Sequence, residues 1–179
     1  MLSQRHSRLV FLIIGAAVFM WGQSALSAEK HKFTAVTKGK VGMKDGDDFY
    51  QLGMREDAFI KKFGKPDDRY EALLVYRGDG LLVTINDANE VDSFLFAVQA
   101  TPASSRFGVL QAANVSTDRD ANKDSRYRDI VKIYGEAKHE KEWTAGDGSR
   151  CTTLTYDFGN FFFVDGILSF MGVGEHVKS

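Results

Sequence analysis

Oxygen-bearing side chains recur at alternate positions in one polar stretch: Asp118, Asp120, Asn122 and Asp124, with Asp129 at the twelfth position. Ligands at positions 1, 3, 5, 7 and 12 are how a calcium loop presents oxygens to a hard dication. The sixth position needs glycine for a sharp turn, and here it is Lys123, whose ammonium opposes a cation. The same residues also read as a solvated loop in which Asp124 or Ser125 accepts the orphan amides of a following helix. Calcium or another small ligand is therefore an alternative reading, and no cofactor is expected.

Cys151 and His139 would supply a thiol nucleophile and a base, because a thiolate needs a basic neighbour at neutral pH. Cys151 opens a strand-like run rather than a helix, and no third orienting residue is evident. A structural thiol is the expectation, and a Cys-dependent hydrolase is the second alternative. His139, Glu140 and Glu142 lack zinc spacing and read as alternating charges on an exposed strand. Arg77-Gly78-Asp79 is a tripeptide that adhesion receptors read, but Gly-rich hairpin chemistry produces it alone. With no phosphate loop and no Gly-x-Ser-x-Gly, the chain is expected not to be an enzyme. Tyr70, Tyr76 and Trp143 fall at strand ends or in loops, where exposed aromatics serve as anchors for a protein partner. The competing reading for all three is packing within a sheet.

The elements that hold these residues show an internal similarity. Residues 57–66 and 128–137, displaced by 71 positions, each read as a short amphipathic helix stopped by Gly. Phe59, Ile60 and Phe63 recur as Ile130, Val131 and Tyr134, one apolar stripe each, and Gly64 and Gly135 end the helices in a conformation natural to glycine. Matched strands follow: Leu74-Val75-Tyr76 with Leu154-Thr155-Tyr156, Leu81-Leu82-Val83 with Phe161-Phe162-Phe163, and Ser93-Phe94 with Ser169-Phe170. Turns at 77–80, 87–90 and 157–160 join them, and Asp165-Gly166 is a type I′ pair. The fold class expected is α+β, as two tandem repeats, each a short helix packed on a three- to four-stranded antiparallel sheet. The apolar run 161–164 predicts a strand covered on both faces or placed where the units meet.

Leu52-Gly53-Met54, a short helix, Phe63-Gly64-Lys65-Pro66-Asp67 and a β meander resemble the small outer-membrane lipoproteins of the SmpA/OmlA family. Doubling the unit resembles the β-lactamase inhibitory proteins, which are tandem copies of that module. The resemblance implies binding of other envelope proteins through a sheet face or loops, as an adaptor or an inhibitor does.

Residues 9–21 form an uncharged core of 13 behind Arg5, His6 and Arg8, the layout of a signal peptide and too short for a spanning helix. Cleavage is expected after Ser27 or Ala28, and no Cys stands there for lipid attachment. Export implies the periplasm or secretion, with no stable membrane anchor. Without residues 1–28 the chain carries 21 basic and 24 acidic residues, a net charge of −3 that disfavours nucleic acid. A single cysteine allows no internal disulfide, so stability rests on packing. The expected bounds are 1–28 signal, 29–39 N-terminal extension, 40–99 first unit, 100–106 linker and 107–175 second unit.

Overall fold

The computed structural model describes residues 31–101 and 107–174. The signal segment 1–28 and most of the linker 100–106 lie outside the described residues.

Among the described residues twelve strands and two helices follow one another: β1 (Lys32–Val36), β2 (Gly42–Asp45), β3 (Asp48–Gln51), α1 (Glu56–Phe63), β4 (Asp68–Tyr70), β5 (Leu73–Tyr76), β6 (Leu81–Ile85), β7 (Val91–Ala97), β8 (Asn114–Thr117), α2 (Tyr127–Tyr134), β9 (His139–Thr144), β10 (Arg150–Tyr156), β11 (Gly159–Val164) and β12 (Ile167–Gly174). The class is α+β. One sheet has eight strands in the order β4-β5-β6-β7-β12-β11-β10-β9, antiparallel throughout. The second has four, β3-β2-β1-β8, in which β1 and β8 run parallel. Each helix leads into a four-stranded meander, and the meanders join through β7 and β12.

The helices end where glycine allows it. Gly64 (φ 117°, ψ 173°) and Gly135 (φ 83°, ψ −164°) combine positive φ with an extended ψ, a region open to glycine alone, rather than the left-handed helical well. Phe59 and Ile130 are fully buried at equivalent places on the two helices. Phe59 and Phe63 stack on each other and meet Tyr50 of β3 and Tyr76 of β5 edge-on. On the other side Tyr134 packs on Tyr156, Phe158 and Phe161. The small sheet lies over the middle of the large one, β1 and β2 against β7 and β12, and a single core cluster takes Phe33, Met43 and Val115 together with Phe94, Phe96, Phe161 and Phe163. Burying that many aromatic and aliphatic side chains supports a chain that has no disulfide.

Several expectations change. The span 29–39, read as an extension, supplies β1, with Phe33 and Ala35 in the core. Four strands follow each helix, within the three to four expected; those outside the matched pairs are β4, three residues long, and β9, all of whose residues are exposed. The run 161–164 lies one strand in from the junction, which is made by β12. Phe161 and Phe163 face the core and Phe162 faces the other side. The turns sit where expected, and Asp165 (φ 50°) with Gly166 (φ 76°) has the paired positive φ of a type I′ hairpin. No helix among the described residues is long and apolar enough to cross a membrane.

Candidate functional site

The inner face of the large sheet is filled by the core, so its chemistry toward solvent lies on the outer face. Strand alternation assigns the residues: Leu154, Phe161, Phe163 and Leu168 point inward, which turns Cys151, Thr153, Phe162, Val164 and Ile167 outward. Half of that outer face is covered. Between Val98 and Ala113, which return to the main core, residues 107–111 cross behind β5, β6 and β7, where buried Leu110 closes a second cluster with Val75, Leu82 and Ala97, flanked by Leu73, Leu95, Phe107 and Phe170. The crossing is held close by Gly80, at φ 64°, where a Cβ would stand 2.1 Å from the Gln111 carbonyl oxygen. Gln111 N–H in turn donates to the Arg77 carbonyl at 2.9 Å.

Behind β9 to β12 the described residues provide no such cover. Trp143 packs against Phe162 (5.6 Å between centroids), and Phe162 against Phe170 (6.1 Å), with Val164 and Ile167 beside them. Among the described residues the large hydrophobic side chains left exposed are Tyr70 (42%), Val109 (39%), Trp143 (39%) and Ile167 (42%). Tyr70 lies near Phe107 at the β4 edge, and Val109 belongs to the crossing segment, so all four face the same side. On β9 the outward positions are His139, Lys141 and Trp143, with the Lys141 ammonium 6.0 Å from the Trp143 ring centre. An apolar strip with a cationic border suits non-covalent adhesion to another macromolecular surface.

Of the three aromatics singled out as anchors, Tyr70 and Trp143 are exposed at opposite edges of the sheet. Tyr76 is corrected: it is 4% exposed and its hydroxyl donates to the Gly64 carbonyl at 3.0 Å, so it offers no surface to a partner. Burial, with Glu56 the nearest acid adding to it, pushes its phenol far up. Tyr156 does the same work for Gly135, also at 3.0 Å, and its phenol rises to about 12 through burial.

The five calcium candidates are not brought together. Asp118 Oδ1 accepts from Thr37 N–H and its hydroxyl, clamping the end of β1 to β8. Asp120 sits at φ 66° with its carbonyl bound by the Asn122 side chain, Asn122 Oδ1 accepts Asp124 N–H, and Asp124 pairs with Lys123 at 2.9 Å. Asp129 reaches back to the Arg126 N–H at 2.8 Å, so the helix cap is made from its third position and not by Asp124 or Ser125. Ser125 accepts Asn122 N–H instead. Among the described residues no group of three or more His, Cys, Asp or Glu is placed to hold a metal ion.

Cys151 and His139 are also apart. Cys151 pairs with Trp143 and His139 with Thr155, four positions along the ladder, or about 13 Å. Cys151 is buried, and desolvation, with Asp147 and Asp165 adding to it, raises its thiol and disfavours the thiolate. Arg77 is engaged by Asp68 and the Phe107 carbonyl, which fixes the 77–80 turn as structure. A groove of about 360 Å³ runs along β8, lined by Ala113, Val115, Ser116 and Asn122 between Lys32 and Lys123. Its one acid, Asp124, is paired with the neighbouring Lys123 at 2.9 Å.

Sequence reading missed Phe162, Phe170 and Ile167 as members of this surface. The signal was present in the run 161–164: an apolar strand with no polar alternation has an outward apolar face as well as an inward one. No family model, no curated protein and no solved structure matches the chain.

Proposed function

We propose that this is an exported, non-enzymatic protein-binding module of the envelope, an adaptor or an inhibitor, that grips its partner with the outer face of the eight-stranded sheet. The observation that carries the reading is that Tyr70, Val109, Trp143 and Ile167, the large hydrophobic side chains left exposed, all lie on that one side. Surface aromatics on a rigid sheet lose little conformational freedom on binding, which makes Trp143 over Phe162 the natural anchor. The Lys141 ammonium at its border suits a partner with acidic groups around an apolar patch.

The proposal includes the ancestry of the fold as two copies of one helix-plus-meander unit, akin to the SmpA/OmlA and β-lactamase inhibitory modules. Supporting it are helices of eight residues each, meanders in mirrored order across β7 and β12, and the tyrosine-to-glycine bonds of Tyr76 and Tyr156 at equivalent places. It also includes removal of residues 1–28 on export and residence in the periplasm or outside the cell.

The test is affinity capture from the native envelope with the wild type and with Trp143→Ala and Ile167→Glu. Both positions lie on the outer face away from the core, so folding is retained. The expected result is one protein whose capture weakens tenfold or more, about 1.4 kcal/mol, in either variant. Capture unchanged in both variants would contradict the reading.

A further inference from the structure

We propose that β9 pairs with the β9 of a second copy, antiparallel about a two-fold axis through Glu142, so that two eight-stranded sheets become one sheet of sixteen. This inference is independent of the outer-face reading, because it rests on the backbone edge. β9 is the terminal strand of the large sheet, six residues long, with no proline and no described strand beyond it. The other edges are shorter: β4 has three residues, β3 has four, and β8 has four with Ser116 already bridged to Asn122.

The ladder shows which groups point outward. Ala145 N–H donates to the Ser149 carbonyl at 2.8 Å, which makes 145 and 149 a hydrogen-bonded pair. Alternation then gives 143 with 151 and 141 with 153 as the bonded pairs. The N–H and C=O groups of Glu140, Glu142 and Thr144 are therefore turned to the open edge. In an antiparallel pairing centred on Glu142, residue 142 meets its own copy and 140 meets 144. Every one of those outward groups finds a partner, in six hydrogen bonds. Centring on Lys141 instead would leave Thr144 outside the 139–144 strand of the second copy.

Side chains select the same register. Opposite residues share a face, so centring on Glu142 sets Lys141 against Trp143 of the second copy on the outer face, twice, where an ammonium meets an aromatic ring. On the inner face the two Glu142 carboxylates meet, but each is held by its own Arg150 Nη2 at 2.8 and 3.0 Å, and the row is neutral as a whole. Centring on Lys141 would set two ammonium groups together on a face where β9 and β10 carry no acid, and would oppose Glu140 with Glu142 twice. The charges that keep β9 from pairing indiscriminately thus favour one register with itself.

Six-residue edge pairing buries little area, so the dimer is weak, with a Kd on the order of 10 µM. Sedimentation equilibrium of the exported protein from about 1 µM to about 1 mM brackets that value. The expected result is a monomer–dimer equilibrium that Glu142→Pro weakens at least tenfold, because proline removes the outward N–H and leaves the pairing to β10 intact. Glu142→Cys covers the case in which the proline variant fails to fold. Across the axis the Cα atoms stand about 5.5 Å apart, within disulfide reach, so mild oxidation should yield a linked dimer. A monomer at about 1 mM, a dimer unmoved by Glu142→Pro, or a dimer that gives no link at residue 142 would each overturn the proposal.

Discussion

Tyr76 and Tyr156 show what a buried hydroxyl does for this fold. Each donates to the carbonyl of the glycine that ends a helix, tying helix to sheet at a point where the backbone has no helical partner left. Tyr76→Phe and Tyr156→Phe should each lose about 1 kcal/mol in urea denaturation, since one neutral hydrogen bond is removed and a carbonyl is left short of a partner. A loss below about 0.3 kcal/mol in both would show the bonds to be incidental. The same phenols set the alkaline limit. Tyr50 and Tyr156 are held at about 12 in the folded chain against 10.0 unperturbed, chiefly by burial. A phenol raised on folding contributes stability that is complete below pH 10 and lost as pH rises toward 12. Stability should therefore fall across that window, and absorbance should show the buried Tyr50 and Tyr156 ionising only as the chain unfolds. Ionisation of all tyrosines near pH 10 with the fold intact would contradict the burial described. For Tyr76 the sequence left two readings open, a surface anchor at a strand end and packing within the sheet. Only the helix above it makes that end interior.

At the scale of elements, the sequence carries the helices and hairpins because their signals are local: an apolar stripe closed by Gly64 or Gly135, and Asp165-Gly166 between two strand ends. It does not carry β1 and its parallel pairing with β8, whose register joins Lys32–Val36 to residues some 80 positions later. Nor does it carry the Leu110 crossing. Leu110 stands in an apolar connection, Phe107-Gly108-Val109-Leu110-Gln111-Ala112-Ala113, that follows neither a strand nor a helix period, yet it closes the outer cluster over Val75, Leu82 and Ala97. Leu110→Ala should destabilise by about 2–4 kcal/mol and raise binding of a hydrophobic dye, as the cover lifts from that half of the sheet. Gly80→Ala should cost a comparable amount, about 2–3 kcal/mol, because its Cβ would meet backbone atoms of the crossing. If thermal melts of Gly80→Ala match the wild type, the close approach at residue 111 is not as described. The calcium spacing was legible as a pattern, but spacing does not fix direction: Asp118 turns to Thr37 and Asp129 to the Arg126 amide. Millimolar calcium should leave the melting temperature unchanged, and a rise abolished by Asp120→Ala would reverse that conclusion.

For the whole molecule, the single core shared by both sheets explains how two marginal helix-plus-meander units stand without disulfides. It also decides where interaction takes place. With its inner face filled, the large sheet presents its outer face and its edges, and the large hydrophobic residues left exposed among the described residues collect there. The most direct test of that claim is photo-crosslinking in the native envelope from single positions bearing a photoreactive residue: 143 and 167 on the outer face, and 61 on the solvent side of α1. One and the same protein should be captured from 143 and from 167, and not from 61. Capture from 61 alone, or from none of the three, would contradict it.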